Sequence, residues 1–305
     1  MPRFHIVCDS SARFGNARLL EGLPITVVPC TVTMNGQSYR EDVDLPTEEI
    51  LERMSAAEAI AQVAPPSTPE FLNVYSPLSQ VCDGIISLHS SREINRSWYN
   101  AREAAQQLTG GCPIEVIDTQ SVCAGYGLLV RAAAEASFKE GSFDDVVRYV
   151  RNAVERVYCM YYTETLDTLR DNGLVSDSRA ILGALLGIRP FVSMEDGRLN
   201  VVEKARSNMQ AIDGLVDFIL EFDALDDAMI VQPRGAITES TRALQDRLTT
   251  EFPGQHFPFG AYSTLMACLI GSRAIGVAVL ESEFSHSRSG LDDPTDAEEE
   301  HGKTH

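Results

Sequence analysis

Side chains that can bind or transfer protons follow several apolar runs of the chain, where those runs end. Three such clusters stand out: Asp9-Ser10-Ser11, His89-Ser90-Ser91-Arg92 with Asn95 and Ser97 just after it, and Asp118-Thr119. In an open parallel sheet the carboxyl ends of the strands share one edge, where ligands bind. Helix N-termini at that edge offer free N–H groups and a positive dipole end. The clusters therefore predict a site for a small anion.

The same residues have a plainer interpretation as turn formers and helix caps. His89 could act as an acid–base group, but no Asp or Cys is paired with it in the sequence, and we favour a loop histidine with its hydrogen bonds satisfied. Lys204 and Arg206 follow a predicted hairpin, where they could contact a phosphate or an acidic partner, or simply lie in solvent.

Common catalytic and metal-binding motifs are absent from the sequence. It contains no P-loop, no GxGxxG after a strand, no HExxH and no GxSxG. The seven cysteines are odd in number and scattered, and no two form a CxxC pair, so we predict neither a disulfide framework nor a zinc site. We assign no catalytic residue, no metal ligand and no cofactor.

Composition narrows the function further. The 305 residues carry a net charge of −19 and are 44% hydrophobic, which is ordinary for a globular protein. Such an acidic chain is a poor ligand for nucleic acid or an anionic membrane surface. No apolar run approaches the ~20 residues that span a bilayer, and no signal-peptide core is evident, so we expect a cytoplasmic protein.

The first half alternates strand-like and helix-like segments, which predicts a mainly parallel sheet covered by helices. Predicted strands are Phe4–Cys8, Ile25–Val32, Gly84–Leu88 and Ile114–Ile117. Predicted helices are Thr47–Met54, Pro69–Leu78, Glu93–Leu108, Val122–Phe138 and Asp144–Glu155.

The second half predicts a mixed α/β domain. Its strands are predicted at Val157–Thr163, Ile188–Met194, Leu199–Lys204, Ala228–Gln232, Thr264–Ile270 and Ala274–Leu280, with an Asp-Gly hairpin turn between the second and third. Helices are predicted at Glu164–Arg170, Asp177–Leu186, Asn208–Glu221 and Glu239–Thr250.

These patterns divide the chain into residues 1–155, residues 156–284 and a polar tail, residues 285–305, that we expect to be disordered. Six acidic residues against Arg288 and Lys303 give the tail a net charge of −4, which leaves −15 on the rest of the chain.

Taken together and in order, the motifs resemble the DegV family of bacterial lipid-binding proteins over residues 3–281. Cys8-Asp9-Ser10-Ser11 is similar to that family's Thr-Asp-Ser-Ser, and Ser91 to Ser97 is similar to its Ser-Ser…Leu-Ser-Gly-Thr element. The strongest match runs from Leu166 to Arg206. Further matches are Pro66-Ser67 with Glu70-Phe71, Val116-Ile117-Asp118-Thr119 with Gly125 and Gly127, and Gly271-Ser272-Arg273-Ala274-Ile275-Gly276.

The resemblance implies a two-domain α/β fold that holds one long-chain fatty acid, with the acyl chain in an apolar tunnel lined by both domains. It also implies a carrier that presents the carboxylate to a separate ATP-using fatty acid kinase subunit, without catalysing the reaction itself. The residues that we expect to bind the head group are Ser10, Ser11, Ser91, Asn95 and Ser97, with Arg96 and Arg273 as further cations; Lys204 and Arg206 are expected partner contacts.

Several family head-group positions are changed in this sequence. The family threonine that binds the carboxylate aligns with Val63, and its neighbouring serine with Ala64. A family arginine aligns with Leu174 and a family histidine with Leu269. A neutral lipid or another small molecule therefore stays open as the ligand. The alternatives from other classes are a phosphotransfer-type enzyme using His89, Lys204 and Arg206, and a degenerate regulatory binding module.

Overall fold

The computed structural model of the chain describes residues 4–15, 20–57, 61–139, 141–164, 166–233 and 237–283. The tail, residues 285–305, lies outside this set, so its expected disorder stays a prediction. Within the described residues the elements are, in order, β1 (Phe4–Asp9), β2 (Ile25–Val28), β3 (Thr31–Met34), β4 (Gln37–Arg40), α1 (Thr47–Ala57), β5 (Ala61–Ala64), α2 (Thr68–Leu78), β6 (Gly84–His89), α3 (Ser97–Gln107), β7 (Ile114–Asp118), α4 (Cys123–Ala136), α5 (Phe143–Val154), β8 (Val157–Thr163), α6 (Asp167–Asp171), α7 (Asp177–Leu185), β9 (Arg189–Glu195), β10 (Arg198–Ala205), α8 (Asn208–Leu220), β11 (Leu225–Gln232), α9 (Glu239–Glu251), β12 (Phe259–Ala261), α10 (Thr264–Ile270) and β13 (Ala274–Glu281).

A four-stranded parallel sheet organises the first half, in the order β2-β1-β6-β7. Strand β6 is buried at every position, because helices cover both faces of a parallel sheet and no alternation of polar residues is needed. Helices α2 and α3 pack together on one side, and α4 packs against β1 and β6. This is the parallel, helix-covered sheet that the alternating segments predict.

A six-stranded mixed sheet organises the second half, in the order β10-β9-β8-β13-β11-β12. The predicted hairpin is present as the antiparallel pair β9 and β10, whose turn places Asp196 and Gly197 at positive φ. The mixed α/β fold of the second half is thereby confirmed.

Helix α4 lies between the two sheets and packs against strands of both. Twelve of its fourteen residues are buried, which explains why its sequence is almost entirely small or apolar. Gly127 is required there, because a Cβ at this position would overlap the backbone carbonyl of Arg13. One apolar cluster runs through α4 into both sheets, so a boundary near residue 155 stays a prediction.

The segment Thr264–Ile270, which we predicted as a strand, is helix α10. The Ser263 hydroxyl accepts a hydrogen bond from the Met266 N–H at 3.2 Å and caps this helix. Its short apolar run shows no helical period because α10 packs between α1, β5 and α6 and is buried on several sides. A short buried helix and a buried strand therefore have the same sequence pattern.

Smaller corrections concern the ends of elements. The predicted strand Ile25–Val32 is divided into β2 and β3 at Pro29, which has no N–H to donate to a sheet. Helix α3 begins at Ser97 and not at Glu93, because residues 91–95 form a turn. Strands β4, β5 and β12 were not predicted; β4 and β5 flank β3 in a three-stranded antiparallel sheet, and all three are four residues long or shorter.

Candidate functional site

The carboxylate of Asp9, at the end of β1, is hydrogen-bonded to residues from two of the strand-end clusters. Its Oδ2 accepts a hydrogen bond from the Ser97 hydroxyl at 2.6 Å and lies 3.2 Å from Nδ1 of His89. Its Oδ1 accepts from the Ser11 N–H at 3.1 Å and from the Ser11 hydroxyl. All four residues are buried. These contacts bring the first two clusters together at the carboxyl edge of the sheet, and the predicted anion site itself stays a prediction.

His89 continues this network into the core. Its Nε2 lies 2.8 Å from the Ser87 hydroxyl, which lies 2.7 Å from the phenol oxygen of Tyr75. The sequence shows no acidic partner for His89, but in the structure Asp9 faces it at the end of β6. The contact follows from the strand register. Strands β1 and β6 are parallel with Val7 opposite Ser87, so Asp9 and His89, two positions further on, also lie side by side. His89 is nevertheless a buried histidine with both ring nitrogens in contact with protein.

The charge on Asp9 is held inside the protein by these donors. Burial by itself would raise the pKa of Asp9, but His89, Ser11 and Ser97 more than offset it, and the pKa of Asp9 is lowered from its usual value. A buried carboxylate with these hydrogen bonds stays ionised at neutral pH. The hydroxyls of Ser11 and Ser97 are therefore committed to Asp9 and are not free to hold a ligand.

A second buried carboxylate, Glu41, engages Ser10. The Ser10 hydroxyl donates to Glu41 Oε2 at 2.7 Å. The other oxygen, Oε1, accepts from Thr47 at 3.0 Å, from the N–H and hydroxyl of Thr264 at 3.1 and 2.6 Å, and from Arg13 Nη2 at 3.1 Å. Glu41 thus joins the first strand end, α1 and α10. Sequence reasoning missed this residue, because it stands in an acidic stretch that looks solvent-exposed.

The loop before α3 holds the other predicted head-group residues. The Ser91 hydroxyl donates to the Gly197 carbonyl at 2.6 Å and so connects this loop to the β9–β10 turn. Asn95 Oδ1 accepts from the Ser97 N–H at 2.8 Å. The Asn95 amide nitrogen Nδ2 and the Ser90 hydroxyl are buried and have no hydrogen-bond partner among the described residues. Buried donors normally have partners, so these two are available to a ligand.

The side chains of the basic candidates form no hydrogen bond or ion pair with the Asp9 network in the part of the chain that the structure describes. Arg96, Lys204, Arg206 and Arg273 are all exposed. Arg96 lies over the ring of Tyr99, 5.6 Å from its centroid. Arg273 borders a cavity of about 620 Å³ that also has the acidic side chains of Glu52 and Glu164 in its wall. Among the described residues, the side chains of Arg96 and Arg273 form no hydrogen bond with Ser10, Ser11, Ser91 or Ser97.

An apolar groove of about 600 Å³ opens between the α6–α7 segment and the β9–β10 hairpin. Its polar margin is formed by Arg179, Asn200 and Lys204. All of its lining residues come from the second half, so in this groove the expected lining by both domains is not found. The apolar part of the wall consists of Leu166, Leu174, Val175, Leu182, Gly183, Ile188, Pro190, Val201 and Val202.

The positions at which the resemblance puts head-group donors are apolar in the fold as well as in the sequence. Val63, Leu174 and Leu269 are half-buried and pack on the main apolar cluster, as does Ile94, the neighbour of Asn95. Ala64 is exposed. Leu174 belongs both to this cluster and to the groove wall. The groove and the Asn95 loop therefore border one continuous apolar region.

Within the described residues, no helix combines the length and the apolar character that crossing a membrane requires. In the same part of the chain, no group of three or more His, Cys, Asp or Glu side chains could hold a metal ion.

The family model that matches this chain is that of the DegV family, described as uncharacterised protein, over residues 3–282. Among curated proteins, a DegV domain-containing protein of Deinococcus radiodurans is 31% identical over 217 residues, which cover 71% of this chain and 76% of that protein. A DegV domain-containing protein of Streptomyces coelicolor is 29% identical, over 82% of this chain and 88% of its own length.

Solved structures with the same fold include a fatty-acid-binding DegV family protein from Thermus thermophilus, at a TM-score of 0.80 and 23% identity, over 92% of this chain and all of that one. Another is the fatty acid kinase B3 protein of Streptococcus pneumoniae, which was solved loaded with linoleic acid. It matches at a TM-score of 0.78 and 20% identity, over 92% of this chain and 99% of its own.

Replacing Asp9 with Asn tests the buried charge. We expect Asp9→Asn to lower the free energy of unfolding at pH 7 by about 2–3 kcal/mol, because the donors around position 9 lose an ionised acceptor. The folded state lowers the pKa of Asp9, so its contribution is present above about pH 4 and is lost as the pH falls.

Urea unfolding of both proteins between about pH 7 and pH 2 measures this difference. The gap between the two free energies should narrow as the pH falls below the unfolded pKa. Ser97→Ala, which removes one donor but keeps the carboxylate, should give a smaller loss with a similar pH dependence. A gap that stays constant down to the lowest pH would contradict the ionised state of Asp9.

Proposed function

This chain belongs to the DegV family, and on that basis we propose that it binds a long-chain fatty acid or a related lipid and carries it without catalysing a reaction. The observation that supports this best is the apolar groove of about 600 Å³ in the second half. Its size is that of a typical small-molecule site, which is mostly apolar with a few polar groups.

The energetics of an acyl chain suit such a site. Burying about 16 methylenes at ~0.8 kcal/mol each gives enough favourable free energy for tight binding after the costs of association are subtracted. The polar end then needs few contacts, since the apolar chain supplies most of the free energy. Leu174, which stands where the family has an arginine, adds to this apolar wall.

We propose Asn95 as the head-group donor among the residues that the sequence indicates. Its Nδ2 is buried and without a partner, whereas the hydroxyls of Ser11, Ser97, Ser10 and Ser91 already donate to protein acceptors. These serines would then hold the strand-end loops in place around the ligand. The Ser90 hydroxyl is a second available donor in the same loop.

The enzymatic alternative receives little support from the site. His89 is fully buried and hydrogen-bonded at both ring nitrogens, while Lys204 and Arg206 are exposed residues at the end of β10. A phosphotransfer site needs these groups to converge on one substrate atom. A regulatory binding module would use the same groove and differs only in the absence of a kinase partner.

Filling the groove tests lipid binding. Val175→Trp, in the groove wall, should weaken palmitate binding by tenfold or more, because the added ring occupies the space of the acyl chain. Leu185→Trp is the matched control: Leu185 lies on α7, is 79% exposed and is not part of the wall, so binding should be unchanged.

The measurements are mass spectrometry of lipid extracted from protein purified from a bacterial host, and titration with palmitate. An unsubstituted chain that carries no lipid and does not bind added palmitate would contradict the proposed function.

Asn95→Asp tests the head-group assignment. Aspartate keeps the Oδ1 acceptor for the Ser97 N–H and replaces only the amide donor with an anionic oxygen. We expect palmitate to bind about 10- to 100-fold more weakly, because a hydrogen bond to a charged group contributes ~1.5–3 kcal/mol. Methyl palmitate, which is neutral, should lose less affinity than palmitate, because it loses the amide hydrogen bond but is not repelled as an anion. Unchanged palmitate affinity in the variant would place the carboxylate elsewhere.

We also propose that the bound carboxylate is presented to an ATP-using fatty acid kinase subunit, with Lys204 and Arg206 as contacts. With such a subunit supplied, Arg206→Glu should slow acyl phosphate formation several-fold, because it reverses a charge at the expected interface. Palmitate binding should be unchanged. Arg148→Glu, at an exposed arginine of α5, is the control, and equal rates for all three proteins would remove Arg206 from the interface.

A further inference from the structure

Arginines and aromatic rings are concentrated on one surface around α3, which we call the α3 patch: Arg92, Arg96, Trp98, Tyr99, Arg102 and Arg151. The guanidinium carbons of Arg92 and Arg102 lie 5.8 and 5.0 Å from the centroid of the Trp98 ring. That of Arg96 lies over Tyr99. Stacking on the rings holds these cations in fixed positions at the surface.

The α3 patch carries positive charge that the described residues do not neutralise. Arg92 lies 3.4 Å from Asp118 and 3.8 Å from Glu93, and Arg151 lies 2.5 Å from Glu115, so these two arginines are paired. Among the described residues, Arg96 and Arg102 form no ion pair, and both are exposed. On a chain with a net charge of −19, these two arginines lie beside the edge-to-face rings of Trp98 and Tyr99. Tryptophan, tyrosine and arginine are also the residue types that are most enriched in binding surfaces.

The α3 patch includes a cavity of about 430 Å³, between α3 and the end of α5. Its polar and aromatic lining consists of Trp98, Arg102, Gln106, Arg151 and Glu115, the last of which is the ion-pair partner of Arg151. Trp98 is fixed there by its indole N–H, which donates to the Val116 carbonyl at 3.3 Å. An acidic segment could therefore lie between Arg102 and Arg151 with Trp98 at its side.

The chain leaves its last strand close to this surface. The Glu281 N–H donates to the Arg156 carbonyl at 2.9 Å, and Arg151 stands only five residues before Arg156, in the last turn of α5. Five residues at the end of a helix span about 10 Å. From Glu283 to Asp292 are nine residues, which reach up to about 30 Å when extended. The acidic block of the tail can therefore reach the α3 patch of its own chain.

We propose that the acidic segment Asp292–Glu300 binds the α3 patch of the same chain. The segment carries six carboxylates and no basic residue, so its charge complements that of Arg96 and Arg102. Single exposed ion pairs are weak, but a tethered segment makes several at once at a high effective concentration. Bound there, the segment shields the patch from other acidic partners. This proposal is independent of the lipid ligand.

Trp98 is the only tryptophan of the chain, and its fluorescence therefore reports on the α3 patch alone. The test compares acrylamide quenching of Trp98 in the full chain and in a full-length variant with a neutralised tail. Acrylamide is uncharged, so its access depends on coverage of the ring and not on the local potential. The variant carries Asp292→Asn, Asp293→Asn, Asp296→Asn, Glu298→Gln, Glu299→Gln and Glu300→Gln.

We expect the quenching constant to rise about twofold or more in the variant, and to rise equally in the unsubstituted chain at ~1 M salt, where the Debye length is only about 3 Å. A control with the same change of net charge should quench like the unsubstituted chain. It replaces six exposed acids of the second half by their amides: Asp217, Glu221, Asp223, Glu239, Asp246 and Glu251.

A second variant keeps the test independent of the tail substitutions. Arg96→Glu with Arg151→Glu reverses two charges of the patch but leaves Arg92 and Arg102 over the Trp98 ring, and it should expose Trp98 to acrylamide while the tail is intact. Equal quenching in all four proteins at low salt would overturn the proposal. If added polyglutamate then protected Trp98 equally with and without the tail charges, the patch would be a site for an external acidic partner.

Discussion

Two buried carboxylates, Asp9 and Glu41, constrain the rest of this structure. A buried charge is costly unless hydrogen-bond donors surround it. In this chain the donors come from the ends of strands and the starts of helices: Ser11, Ser97 and His89 around Asp9, and Ser10, Thr47, Thr264 and Arg13 around Glu41. The first carboxylate fixes the loops at the carboxyl edge of the parallel sheet. The second joins that edge to α1 and to α10 of the second half.

This demand for donors changes the role of the serine-rich strand ends. In the sequence these residues resemble a site for a bound anion. In the structure, however, the anions to which they donate hydrogen bonds are the protein's own carboxylates, Asp9 and Glu41. In the head-group site that we propose, the ligand uses the unpartnered donors of the loop before α3, which are the amide of Asn95 and the hydroxyl of Ser90. Val63, Leu174 and Leu269 are apolar, so they favour contact with the hydrocarbon part of a ligand over contact with its polar end.

How far the sequence predicts the structure depends on the range of the interactions. Alternating apolar runs and turn residues are local, and they predicted the parallel sheet and the Asp-Gly hairpin. The contact of Asp9 with His89 joins residues 80 positions apart, and it follows only when the pairing of β1 with β6 is known. Glu41 reaches Thr264 across 223 positions and has no local signal at all. Helix α10 was mistaken for a strand because a helix that is buried on several sides lacks the hydrophobic period by which a helix is told from a strand.

The distribution of charge bears on how any acidic ligand or partner approaches this protein. A body at −15 repels free fatty-acid anions and acidic protein surfaces alike, and the repulsion extends over about a Debye length, ~8 Å at physiological salt. Approach is therefore easiest where arginine and lysine stand out from the acidic background. The groove margin offers Arg179 and Lys204, and the α3 patch offers Arg96 and Arg102. Covering the α3 patch with the chain's own acidic tail would therefore direct acidic partners to the basic residues that stay open, such as those of the groove margin.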